Sequence, residues 1–218
     1  MDASPPSTAL DHDLQEVVAL VVRMLSLVRE SARFAAEALI DGDPTAADRA
    51  AANDREIDAL QETLERRILV IIARRQPTAT DLRFLGAMHR ALTDVERAGD
   101  YAVHVARAGA ELAASPPLKR YLDMRRMLDV ADLMLEATIA ALADGDVEAA
   151  RRALAMDDEI DDLYEQVQRE LLTYMMADPA TVPVATKLLA VGRHLERLGD
   201  HVENVCEHIV FWRSGERL

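Results

Sequence analysis

Apolar positions recur at steps of three and four through most of this chain. In one stretch Ile57, Leu60, Leu64 and Ile68 fall in line, and in another Ile160, Leu163, Val167 and Leu171 repeat the same spacing. That is the period of one helical face, whereas a half-buried strand would alternate every second residue. The punctuation between such stretches predicts six long helices, at about 10–40, 43–75, 80–113, 118–143, 147–176 and 183–213. Gly42 suits the end of the first. Asp43 is placed to cap the second, with Pro44 in its first turn, where no amide bond is lost. Arg74 and Arg75 suit the negative end of that helix. Thr80 or Asp81 is placed to cap the third, and Asp146 the fifth. Ser115, Pro116 and Pro117 break the chain near its middle.

The two halves resemble one another. Asp41, Gly42 and Asp43 recur as Asp144, Gly145 and Asp146, at an offset of 103 residues. Asp54, Glu56, Ile57, Asp58 and Leu60 recur at the same offset as Asp157, Glu159, Ile160, Asp161 and Leu163. Glu96, Arg97, Gly99 and Asp100 recur as Glu196, Arg197, Gly199 and Asp200, at an offset of 100. Order, spacing and identity agree, which marks a tandem duplication. Helices of about 30 residues span about 45 Å, and short connections make neighbours antiparallel. The expected fold is all-α, six helices as a tandem repeat of two antiparallel three-helix bundles. Residues 1–9 form a tail, 10–114 the first repeat, 115–117 a linker and 118–213 the second repeat.

Composition agrees with helices: aromatic residues make up only 4 % of the chain, too few for a sheet protein of this size. Charge narrows the function. A net charge of −14 repels phosphate backbones and argues against nucleic-acid binding. The longest apolar runs, 17–22 and 68–73, are far short of the ~20 residues of a membrane helix, and the start lacks the pattern of a secretory signal. Cys206 alone supports neither a disulfide framework nor a multi-cysteine metal site; a small core residue is its simplest role. The expectation is a soluble cytoplasmic protein.

The acids carry the chemistry. Asp54/Asp58, Glu96/Asp100, Asp157/Asp161 and Glu196/Asp200 are pairs four residues apart, so each pair stacks two carboxylates on one helix face. On a helical projection Asp54 and Asp58 lie on the shoulder of the buried stripe, with Glu96 and Asp100 on an equivalent shoulder. If the second and third helices of each repeat are neighbours, the pairs converge at one rim. Like charges so placed repel and raise one another's pKa unless a cation neutralises them, and hard divalent or trivalent metals suit oxygen-rich clusters. Any one such pair could equally be solvated surface, neutralised by Arg55, Arg97 or Arg197; recurrence of both motifs in both halves favours metal sites. Gly99 and Gly199, costly inside helices, point to close helix approach beside the carboxylates. His104 follows Asp100 by four residues and either extends a metal site or acts as an ordinary hydrogen-bonding histidine.

Other signatures are missing. There is no Glu-x-x-His pair of the ferritin-like di-iron type, no P-loop or dinucleotide fingerprint, and no nucleophile elbow. Arg66, Arg67, Arg74, Arg75 and Arg83 form the most basic stretch, a solvated face or else a docking or anion-binding patch. Nothing here asks for an enzyme.

The two Glu-Arg-x-Gly-Asp stretches, the two Asp-x-Glu-Ile-Asp stretches and the run from Arg75 to Arg83 together resemble the PhoU family of bacterial phosphate-signalling regulators, over nearly all of 10–215. The resemblance implies two three-helix bundles in tandem and a cytoplasmic protein, often a homodimer, that restrains the phosphate-starvation response. It implies work with the phosphate-specific ABC transporter, through its ATPase, and with a sensor histidine kinase of a two-component system. It also implies metal ions (Fe, Zn, Mn or Mg) on Asp54, Asp58, Glu96, Asp100, Asp157, Asp161, Glu196 and Asp200. One departure stands out: the family has asparagine four residues past the first motif's Asp, where this chain has His104, while Asn204 keeps the pattern. The competing expectations are a carboxylate-bridged metal-storage or metallo-hydrolase bundle, or a PhoU-like regulator of another transporter.

Overall fold

A computed structural model describes residues 8–216. Within them the chain is helical throughout, with no strand among the described residues. Helix α1 runs Ala9–Ala36, α2 Ala46–Arg75, α3 Ala79–Leu112, α4 Leu122–Asp144, α5 Val147–Leu154, α6 Asp157–Ala177 and α7 Val182–Ser214. Of the expected tail 1–9, residues 1–7 lie outside the described residues. Thr8 and Ala9 belong to the bundle instead: Thr8 and Asp11 form a reciprocal capping box that starts α1.

Several expected boundaries move, each for a local reason. The first helix ends in a π-helical turn, Glu37–Asp41, before Gly42 takes the left-handed conformation at φ 73°. There α3 crosses so closely that a Cβ on Gly109 would fall 2.7 Å from the Leu39 amide nitrogen, so only glycine fits. Asp43 caps a turn rather than the helix, accepting from the Thr45 amide and hydroxyl, and α2 begins at Ala46. Helix α3 starts at Ala79 with Thr78 at the cap position, so the expected caps Thr80 and Asp81 lie inside its first turn. The fourth helix starts at Leu122 rather than 118. The expected fifth helix is two, α5 and α6, parted by a turn at Ala155 and Met156. Asp146 caps α5 as expected, accepting from the amides of Glu148 and Ala149. That break leaves Asp157, Asp158 and Glu159 in the first turn of α6, at the positive end of its dipole.

Helices α1, α2 and α3 pack on one another, as do α4, α6 and α7, with α5 against α4 and α7. Ile57, Leu64 and Ile68 are buried, as are Ile160, Val167 and Leu171 at the equivalent places. The two repeats meet along two seams. Helix α3 lies antiparallel to α7, with Arg83 donating to the Trp212 carbonyl at one end and Lys187 paired with Glu111 at the other. Helix α1 lies antiparallel to α4, joined by Arg29 and Asp132 in a two-pronged pair with both contacts at 2.9 Å. Arg33 adds a bond to Asp132, and Arg29 one to Glu136.

These pairs report the symmetry of the duplication. Asp132 and Glu136 are the positional equivalents of Arg29 and Arg33. Each residue therefore meets its own counterpart, or the neighbour of its counterpart, across a pseudo-twofold axis. On the α3–α7 seam Asp94 bonds His201, Asn204 and His208, while its counterpart His194 packs on Tyr101 and His104, the counterparts of His201 and Asn204. Charges that would be alike across the axis have become opposite, or acid against imidazole.

Candidate metal centre

Both repeats build their carboxylate pairs on the same frame. Asp54 and Asp58 lie on α2 and face Glu96 and Asp100 on α3; Asp157 and Asp161 lie on α6 and face Glu196 and Asp200 on α7. In each repeat the glutamate and the aspartate of the Glu-Arg-x-Gly-Asp motif are half-buried, and the acid nearest solvent is the later one of the preceding helix, Asp58 or Asp161. The arginine between them serves both: Arg97 lies 3.3 Å from Asp100 and Arg197 lies 3.1 Å from Asp200, with each also near its preceding glutamate.

The second cluster is the tighter one. Oxygens of Asp161, Glu196 and Asp200 lie within 4.8 Å of one another, and so do those of Asp157, Asp200 and Glu203. Asp157 is only 5 % exposed, and its Oδ1 is buried with no hydrogen bond. The Gly199 backbone makes room for it; a Cβ at 199 would overlap that oxygen outright. Burial, and then the charges of Asp161, Glu203, Asp200 and Glu196, push the Asp157 carboxyl up to about 8. Burial first, and neighbouring carboxylates second, also raise Asp161, Glu196 and Glu203.

The first cluster has the same four acids and a gentler field. Asp54 is raised by burial and then by Asp100 and Asp58, but Arg107 and His104 pull it back. Its Oδ1 is likewise buried without a hydrogen bond. Glu96 is raised by burial and then by Asp100. Among the described residues no three donors of this repeat come as close together as the two sets in the other.

An all-oxygen donor set, an orphaned buried carboxylate oxygen in each repeat and a glycine cradle behind one of them fit a hard cation. Two residues at this site are absent from the repeated motifs. Glu203 is the third member of one oxygen set, and Arg107 is the cation that moderates Asp54. Only the helical step from Asp200 to Glu203, and from Asp100 to Arg107, points to them in the sequence. His104 is exposed, with its ring 5.0 Å from that of His194. The basic stretch is largely taken up in pairs: Arg67 with Glu16, Arg75 with Asp13, Arg66 with Glu62, and Arg83 with the Trp212 carbonyl. Cys206 is buried beside the Thr138 hydroxyl, and burial pushes its thiol up to about 12.

Comparison with known proteins settles the lineage. The model of the PhoU domain matches twice, over residues 21–109 and 124–209. The chain belongs to the PhoU family. A PhoU homolog of Deinococcus radiodurans, named a phosphate-specific transport system accessory protein, is 46 % identical over 96 % of this chain and 98 % of its own. One from Aquifex aeolicus with the same name is 36 % identical, covering 95 % and 94 %. The crystal structure of PhoU from Pseudomonas aeruginosa superposes with a TM-score of 0.90 at 30 % identity, over 94 % of this chain and 99 % of that one. The phosphate transport system regulatory protein PhoU from Streptococcus pneumoniae gives a TM-score of 0.88 at 27 % identity, over 96 % and 99 %. The all-α PhoU fold expected from the repeat is the fold of the structure. No helix among the described residues is long and apolar enough to cross a membrane.

Proposed function

We propose that this protein is a regulatory accessory of phosphate uptake that restrains the phosphate-starvation response when phosphate is plentiful. The observation that carries this reading is the match of both repeats to the PhoU domain, joined to 46 % identity over 96 % of the chain with a phosphate-transport accessory protein. In this reading the protein works in the cytoplasm as a non-enzymatic adaptor, often as a homodimer. It contacts the ATPase of the phosphate-specific ABC transporter and a sensor histidine kinase. Asp54, Asp58, Glu96 and Asp100 in the first repeat, and Asp157, Asp161, Glu196 and Asp200 in the second, would hold divalent or trivalent cations such as Fe, Zn, Mn or Mg. Bound there, a cation supplies positive charge that ties the second and third long helices of each repeat together. The chain's own part is to keep unpaired carboxylate oxygens facing one rim, against the repulsion that raises their pKa values.

A strain lacking the protein is expected to express a phosphate-starvation reporter in phosphate-rich medium, with silence restored by the gene in trans. A reporter that stays silent without the protein would sink the regulatory reading. The adaptor reading is checked by co-purification with the transporter ATPase or the kinase, and recovery of neither under phosphate-rich conditions counts against it.

A further inference from the structure

We propose that a cavity at the junction of the two repeats binds a purine mononucleotide. The cavity measures about 420 Å³, within the range of small-molecule sites. Its walls come from the π-helical turn that ends the first helix, the end of α3, the connection to α4 and the first turn of α4. Leu39, Leu112 and Tyr121 line it, and Leu122 is left 65 % exposed beside them. The π turn is itself a departure between the copies, because the counterpart stretch ends α4 as regular α-helix. The second repeat shows what shape this space accepts. There the Cη2 edge of the Trp212 indole and the Arg213 guanidinium pack against Gly145, the counterpart of Gly42, at 3.3–3.4 Å from where a Cβ would stand. In the first repeat Leu112 and Ala113 stand in place of Trp212 and Arg213, and a Cβ on Gly42 would meet only the Ala113 methyl, at 3.7 Å. The first repeat thus leaves open a slot that its copy closes with a flat two-ring side chain, and a purine is a ring system of that size.

The charges around the slot choose the rest of the ligand. In a chain of net charge −14, the side chains left unmatched here are positive. Arg120 lines the cavity, is exposed and has no ion pair or hydrogen bond among the described residues. Arg125 meets only Asp41, at 3.4 Å, with both side chains exposed. Lys119 is already matched, buried beside Glu170 and Asp123, so it supplies wall rather than charge. Two guanidinium groups against one carboxylate leave a positive edge, and guanidinium forks grip a phosphate through paired N–H donors. The Ser115 and Tyr121 hydroxyls also line the cavity and make no hydrogen bond among the described residues, so both can donate to phosphate or ribose. An acidic peptide would match the arginines and not the flat slot beside Gly42. Inorganic phosphate would leave that slot empty.

The test is isothermal titration of the full-length chain with AMP in the presence of a chelator, so that no nucleotide is held through a cation at the carboxylate clusters. AMP is expected to bind about tenfold or more tightly than adenosine, which lacks the phosphate, and than ribose 5-phosphate, which lacks the base. Arg120→Ala combined with Arg125→Ala should weaken AMP about tenfold and leave adenosine unchanged. Ala113→Trp, which fills the slot from an exposed position, should abolish binding of AMP and adenosine alike. Arg90→Ala removes an exposed arginine outside the cavity and should bind AMP as wild type does. Unchanged thermal melts in these variants separate a lost ligand from a lost fold. A wild-type chain that takes up no AMP overturns the proposal, as does wild-type affinity in either cavity variant. So does a loss in Arg90→Ala equal to that of the cavity pair. Ribose 5-phosphate binding as tightly as AMP removes the purine from the site, adenosine doing so removes the phosphate, and either result overturns the nucleotide.

Discussion

The two carboxylate clusters began as copies and no longer carry the same load. In the first repeat Asp54 lies mid-helix, half-buried, with Arg107 and His104 softening its field. In the second, Asp157 is almost fully buried at the start of a new helix, with Glu203 added to its neighbours. The break at Ala155 and Met156 therefore has an electrostatic side. It puts the most buried carboxylate where the free amides and dipole of a helix start favour negative charge. A duplicated site can thus diverge without touching its four repeated acids, through residues one turn away and through a single change in helix continuity.

The largest expected effect is at Asp157. Its folded-state pKa lies above the unfolded value, so the fold holds a proton that the unfolded chain releases. The penalty is absent below about pH 4, grows as the pH rises toward about 8, and is constant beyond that. Asp157→Asn should therefore stabilise the metal-free protein above pH 8, by several kcal/mol, with the advantage vanishing near pH 4. Asp54→Asn should show the same sign and a smaller gain. Thermal melts of both variants across pH check this; equal gains would erase the distinction between the clusters.

Next in size is the seam between repeats. Arg29→Asp is expected to cost about 2 kcal/mol, because Glu136 would lose its partner, Asp132 would keep only Arg33, and both would face a third acid. The exchange Arg29→Asp with Asp132→Arg should recover much of the loss, as read by denaturant melts.

Glycine substitutions come third. Gly199→Ala forces the Asp157 carboxylate aside and is expected to lower Mn²⁺ affinity in the second repeat about tenfold. At Gly99 a Cβ meets the far end of Ile57 at 3.0 Å, so Gly99→Ala should leave stability within about 1 kcal/mol. The smallest effect is Arg107→Ala, which should strengthen Mn²⁺ binding in the first repeat about threefold without changing the second; calorimetry resolves it.

Much of this was legible in the sequence because duplication writes each signal twice. The apolar seams, the Asp146 cap and the four acid pairs were visible for that reason. The break within the fifth predicted helix was not: Ala155 and Met156 are both good helix formers, and the counterpart stretch in α2 runs straight through. Glu203 and Arg107 were passed over for the opposite reason. A search for features common to both copies is blind to those present in only one, and divergence is where the copies acquire different tasks. Arg29 and Asp132 were invisible on the same ground, since their pairing exists only once the pseudo-twofold axis is known.

That axis has a consequence for assembly. Where Arg29 and Arg33 of one half meet Asp132 and Glu136 of the other, each half carries the sign its counterpart needs. Two copies of the first half would set arginine against arginine, and two of the second, acid against acid. The fused chain thus encodes a lock between unlike halves: separately expressed fragments should ignore their own kind and reassemble with one another, and an exchange of repeats between two chains would still rebuild only the mixed pair.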